Sequence, residues 1–190
     1  KDFFDTFSTY SYTVIPLFIM MGELAQNSNI AKRLYVGAQR WFGHIPGGLA
    51  MTTVMGATAF KAMCGSTLAT CATFASVAIP EMEKRGYDKK LIYGSLAAGG
   101  TLGILIPPSL QFIIYGSLVG DSIGRLFIAG VIPGIMMVLA FMLYIFIRAV
   151  FQPELAPKLE RSSFKEKLLS IKDIFPTAVL IFTVIGTIYI

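Results

Sequence analysis

The chain has 190 residues, 55% of them hydrophobic and 14% charged, with a mean hydropathy of +0.68 and a formal net charge of +5. This balance excludes an ordinary soluble domain and reads as an all-α, polytopic integral membrane protein. It also excludes nucleic-acid binding, because Lys and Arg cluster between apolar runs and form no continuous basic face with interleaved aromatics.

The chain opens at Lys1-Asp-Phe-Phe, with neither an initiator Met nor a signal-like segment, and stops inside an apolar run at Ile190, so it reads as a fragment of something longer. Its uncharged runs are Thr6 to Gly22, Trp41 to Phe60, Ala62 to Pro80, Leu91 to Gly120, Leu126 to Ile147 and Ile174 to Ile190. They divide the chain into four parts. Residues 1–40 predict a scaffold-type helix and a cytoplasmic loop, and 41–150 hold a hairpin (45–80), a broken helix (91–120) and a helix (126–147). Residues 151–173 form a charged cytoplasmic connector, with an amphipathic helix at Phe164 to Ile174, and 174–190 begin a further transmembrane helix.

The stretch from 45 to 80 has short arms around a small, polar middle, Cys64-Gly-Ser-Thr-Leu-Ala-Thr70. A spanning helix takes about 20 residues and seldom fewer than about 17. Arms at 45–60 and 68–80 therefore favour a re-entrant hairpin whose tip lies inside the membrane. There the Ser66 and Thr67 hydroxyls and the carbonyls released at Gly65 must find partners. The competing reading is a Ser/Thr-containing helix packed through small residues.

The longest uncharged run, Leu91 to Gly120, is interrupted near its middle by Gly99-Gly-Thr-Leu-Gly-Ile-Leu-Ile-Pro-Pro-Ser109. Pro107 and Pro108 lack a backbone N–H, and each pushes the residue before it out of the helical region. The backbone therefore opens, and in hydrocarbon an opening persists only where it is buried in protein or lines a polar cavity. Freed carbonyls at such depth are natural ligands for a small cation. Next, Leu126 to Ile147 is the cleanest crossing, with Arg148 as an interfacial anchor. Three loops are rich in Lys and Arg: Gln26 to Arg40, Glu81 to Lys90 and Arg148 to Lys172. If the hairpin returns to its starting side, all three become cytoplasmic.

Read together, Pro16-Leu-Phe-Ile-Met-Met-Gly-Glu-Leu24, Gly43-His-Ile-Pro-Gly-Gly-Leu-Ala50, Gly65-Ser-Thr-Leu-Ala-Thr70, Pro80-Glu-Met-Glu-Lys-Arg-Gly-Tyr-Asp88, Gly103-Ile-Leu-Ile-Pro-Pro-Ser109 and Ile123-Gly-Arg-Leu-Phe-Ile-Ala-Gly-Val-Ile-Pro-Gly134 carry a resemblance. In order and spacing, over about residues 12–150, the chain resembles the large membrane (M) subunit of tripartite ATP-independent periplasmic (TRAP) transporters. The resemblance implies an ion-transporter-superfamily fold of two inverted halves, each with a re-entrant hairpin and a broken helix, of which this chain is about the first half. It implies Na⁺-coupled, elevator-type uptake of an organic acid, a dicarboxylate or a sialic-acid-like solute, across the bacterial or archaeal cytoplasmic membrane. The implied partners are a small Q-type membrane subunit, a periplasmic solute-binding protein and the rest of the M subunit. No cofactor is implied beyond Na⁺ as coupling ion.

Carried over by motif, the first-half Na⁺ site would draw on Gly65, Ser66 and Thr67 at the tip and on Gly99, Thr101, Gly103 and Pro107 around the opening. Ser109, Lys61 and Thr70 are the candidates for the substrate. Two departures stand out. Lys61 falls where the family generally has a small residue, and a lysine at mid-membrane costs about 2.5–3.5 kcal/mol on insertion scales. It either helps attract an anionic substrate or serves structurally, by snorkelling, pairing with a carboxylate or meeting carbonyls of the missing half. Cys64 stands where Ser is frequent. A stand-alone ion-coupled dicarboxylate carrier of the same superfamily is the nearest alternative, followed by a channel-like or structural subunit. A membrane-embedded enzyme is the remaining alternative, but Cys64 and His44 lack companions for catalysis and the cysteines lack metal-ligand spacing.

Overall fold

The computed structural model describes residues 10–159 and 163–189. The first residues of the Thr6 to Gly22 run, residues 160–162 of the connector and Ile190 lie outside them. Eight α-helices follow in order: α1 (Tyr10–Asn27), α2 (Ile30–Phe42), α3 (Gly48–Cys64), α4 (Thr67–Lys84), α5 (Lys89–Leu102), α6 (Leu110–Val119), α7 (Ile123–Phe151) and α8 (Phe164–Tyr189). A single 3₁₀ turn, Pro153–Leu155, follows α7, and the described residues contain no strand.

Helix α3 is the axis of the bundle. All its residues except Met55 and Ala59 are buried, enclosed by α1, α2, α4, α5, α7 and α8. Phe60 of α3 and Phe74 of α4 pack with ring centroids 5.7 Å apart, and Tyr35 of α2 meets Phe74 edge-on at 6.4 Å. Lipid tails are as apolar as these side chains, so dispersion and close fit, rather than escape from water, supply the cohesion.

Helix α7 is the one described helix that is both long and apolar enough to cross a bilayer. Its 29 residues extend about 43 Å against a hydrocarbon core of about 30 Å. Ile128, Ile132, Met136, Leu139 and Leu143 along it are exposed, as lipid-facing side chains should be.

Two expectations need correction. The segment from Gln26 to Arg40 was expected as a loop, but most of it is α2, because Ala31, Leu34, Tyr35 and Ala38 line one helical stripe that packs into the core. The boundary at 173/174 between connector and apolar run also disappears, since α8 continues through it with Pro176 inside. Its charged first half docks on α2: Arg40 pairs with Asp173 at 3.4 Å, and the Trp41 indole donates to Ser170 Oγ at 3.0 Å.

The basic loops meet at one end of the bundle. Gln39 Nε2 donates to Glu81 Oε1 (3.3 Å), Asp88 N to Leu155 O (3.0 Å) and Leu159 N to Gly43 O (3.1 Å). Leu49 N donates to the Tyr87 hydroxyl oxygen at 3.3 Å. Burial pushes the Tyr87 phenol above its ordinary value, partly opposed by this hydrogen bond, so it stays neutral at physiological pH.

Candidate functional site

The hairpin turn consists of two residues. Gly65 ends α3 in the left-handed region at φ +70°, its N–H donating to Lys61 O at 2.8 Å. Ser66 is extended and starts α4, its Oγ accepting from Ala69 N at 3.3 Å. The arms of 17 and 18 residues are longer than the apolar runs alone implied, because α3 runs on through Lys61 to Cys64 at the turn and α4 runs on past Pro80 to Lys84 at the basic end.

The broken helix is present, with a shorter opening than expected. Helix α5 continues through Gly99, Gly100 and Thr101 to Leu102; residues 103–109 form the break, and α6 starts at Leu110. Gly99 and Gly100 stay helical and permit close packing. A Cβ on Gly99 would lie 2.8 Å from Ala57 Cβ, and one on Gly100 would lie 2.4 Å from Cys71 Sγ.

Turn and break touch each other. A Cβ on Gly65 would lie 3.4 Å from Leu110 Cβ, and one on Gly103 would lie 2.4 Å from both Cβ and Cγ of Lys61. The break is closed on its other side by α7, where Gly130 and Gly134 lie against Leu105. These glycines form a G-x-x-x-G pair that admits close backbone approach, a signal the sequence carries.

Lys61 lies between turn and break. It is 1% exposed, and its Nζ donates to Gly65 O at 2.7 Å. It neither snorkels nor pairs with an acid, since both ion pairs among the described residues, Arg40–Asp173 and Arg85–Glu81, are elsewhere. It meets a carbonyl of its own hairpin. Thr70 is buried, with its hydroxyl 3.4 Å from Cys64 Sγ, and the same thiol is 3.5 Å from Ser66 O. Cys64 thus serves as a weak donor where a hydroxyl was expected.

The remaining candidates separate. Thr101 is exposed, and its hydroxyl donates to Ala97 O and Ala98 O of its own helix, both at 3.0 Å. Thr67 is half-buried at the start of α4, and Pro107 is buried within the break. Ser109 is buried before α6, with its Oγ 3.3 Å from Gln111 Oε1. Thr58 was missed: its hydroxyl donates to Gly99 O at 3.3 Å, tying α3 to α5 just before the break, and nothing distinguishes it in the sequence from other small α3 residues.

Chemically, this junction offers both polarities, since α3 and α5 end here while α4 and α6 begin here. The carboxyl end of a helix carries about half a negative charge, and α3 ends here beside opened backbone. The oxygens are partly committed already, with Gly65 O bound to an ammonium, Gly99 O to Thr58 and the Ser66 hydroxyl to the cap of α4. No cluster of His, Cys, Asp and Glu suited to a metal ion occurs among the described residues.

Across residues 1–190 the chain matches the family described as tripartite ATP-independent periplasmic transporter, DctM component. It is 37% identical over 186 residues to a C4-dicarboxylate TRAP transporter large permease protein of Pseudomonas aeruginosa, covering 98% of this chain and 43% of that protein. Identity is 38% over 141 residues to an isethionate TRAP transporter permease protein of Oleidesulfovibrio alaskensis, covering 74% of this chain and 22% of the relative. It is 35% over 162 residues to an ectoine TRAP transporter large permease protein of Halomonas elongata, covering 85% and 38%. The chain thus spans less than half the length of these relatives. With the family match running over the whole of this chain and several named relatives at 35–38% identity, this chain belongs to the DctM component family of tripartite ATP-independent periplasmic transporters.

Proposed function

We propose that this chain is the first half of a large permease subunit that takes up an organic acid, coupled to Na⁺ and moving in an elevator-like manner. The observation that carries this reading is the junction of the hairpin turn with the helix break, a polar backbone region buried among apolar helices. Its depth supports re-entrance. Both hairpin arms run from the basic end, and the turn stops level with the break, next to Leu110. From there α6 continues for 10 residues, about 15 Å further. A hairpin that ends so far short of the α6–α7 loop supports a re-entrant reading over a spanning one. The basic end faces the cytoplasm by the positive-inside rule.

Each Na⁺ entering down an inside-negative potential of 100 mV contributes about 2.3 kcal/mol, so a few ions support substantial accumulation without ATP. The relatives named for C4-dicarboxylate and isethionate favour a small organic anion for this chain, whereas the ectoine name marks how widely the substrate varies. A small permease subunit and a periplasmic binding protein complete the system, and the relative named DctMQ is consistent with the first of these.

The test is uptake into proteoliposomes by the complete permease, with and without a Na⁺ gradient and with and without its binding protein. Saturable uptake that needs both is expected. Uptake that ignores the binding protein would favour a stand-alone carrier, and non-saturating flux would favour a channel.

A further inference from the structure

In a Na⁺-coupled permease, the turn carbonyl beside the break would be left for a mobile cation to bind. Here the Gly65 carbonyl already holds the Lys61 ammonium at 2.7 Å. The lysine is part of how the junction is built. It lies in the last turn of α3, where the helix carboxyl end attracts positive charge. Its stem fills the space that Gly103, lacking a Cβ, leaves open in the break. No carboxylate lies within 4.0 Å of its nitrogen among the described residues, so its compensation is carbonyl oxygen and helix dipole, the environment a bound Na⁺ would have. Burying an ammonium is costly unless such oxygens receive it.

We propose that Lys61 is a tethered cation that takes the place of Na⁺ at this hairpin, so that the first half of the permease binds Na⁺ weakly and any Na⁺ coupling arises outside it. This rests on reading the junction as a cation position in a Na⁺-coupled permease. The ammonium and the ion compete for one carbonyl. Because the ammonium is covalently attached, its effective concentration at Gly65 stays high whatever the Na⁺ concentration of the medium. The covalent link also keeps the turn and the break together without a bound ion, through the Nζ bond on one side and the stem on the other.

The experiment uses the complete permease in detergent. Its thermal stability is measured as NaCl replaces choline chloride at constant ionic strength, for wild type, Lys61→Met, Lys61→Gln and Lys61→Arg. The Met variant keeps an unbranched stem against Gly103 but loses the charge. A ligand that binds only the folded protein raises stability with the logarithm of its concentration once that concentration exceeds the dissociation constant. In Lys61→Met and Lys61→Gln, the Na⁺ concentration at which stabilisation sets in is expected to fall at least about tenfold, while Lys61→Arg follows wild type. The Hill coefficient for Na⁺ in uptake should also rise by about one in the neutral variants. Na⁺ titrations that superimpose across all four proteins would overturn the proposal. So would a raised KM for the organic anion with an unchanged Na⁺ titration, which would assign Lys61 to the substrate. The stability titration is read without transport, so a wild type whose uptake ignores Na⁺ would refute the coupled-uptake reading while the neutral variants still decide the role of Lys61.

Discussion

Gly65 shows how a single residue sets the turn. At φ +70° an L side chain meets its own carbonyl, and a Cβ there would also lie 2.9 Å from Phe18 Cε1. Gly65→Ala in the complete permease is expected to lower stability by about 1–2 kcal/mol from the backbone conformation, with the Phe18 contact adding to it. Thermal unfolding in detergent measures this, and an unchanged midpoint would refute the strained turn. The need for Gly65 was legible in the sequence, because a glycine in the small, polar middle between two short apolar arms marks a helix end. The partner of Lys61 was not. An i, i+4 spacing along a helix relates side chains, whereas this bond joins a side chain to a carbonyl that exists only once the chain has turned at Gly65.

At the scale of elements, α3, α4 and α5 pack at distances that small residues permit. Gly100→Ala would place a Cβ 2.4 Å from Cys71 Sγ, while the next nearest atom, Thr67 O, is 3.9 Å away. Alone, the substitution is expected to cost about 1–3 kcal/mol by overpacking. Combined with Cys71→Ala it should be largely relieved, giving a coupling energy of at least about 1 kcal/mol in a double-mutant cycle read by unfolding. Additive effects would place the contact elsewhere. The break itself was legible, since Pro107-Pro108 forbids a continuous helix whatever surrounds it. Its extent was not: the Gly99-Gly100 doublet looked like part of the opening but remains helical, because Val54, Ala57 and Cys71 press against it. Helix α2 was missed for a related reason. Its Lys and Arg residues marked a loop, while its apolar stripe becomes meaningful only against α3 and α8.

At the scale of the whole molecule, docking of α8 on α2 joins the C-terminal part of the chain to the bundle. Trp41 contributes its hydrogen bond to Ser170 and a ring 5.9 Å from Lys167 Nζ. Trp41→Phe is expected to remove about 1 kcal/mol of that docking, seen as roughly fivefold faster hydrogen exchange along the start of α8 with the α3–α4 hairpin unchanged. Equal exchange in both proteins would show that the Arg40–Asp173 pair and apolar packing suffice. The gathering of the basic loops at one end belongs to this scale too. The sequence implied it from charge counts, and hydrogen bonds among Gln39, Glu81, Asp88, Leu155, Gly43 and Leu159 now join those loops directly.

By itself the sequence determined the membrane setting, the helical class, the break at Pro107-Pro108 and the turn near Gly65, because hydropathy, the missing proline N–H and glycine's freedom at positive φ act locally. Only the tertiary structure decided which oxygens face one another. Lys61 lies four residues before the carbonyl it binds and forty-two before the glycine that accommodates its stem. That junction forms when α3 and α5 pack closely enough for both to meet at one point, a distance fixed by side-chain volumes across two helices.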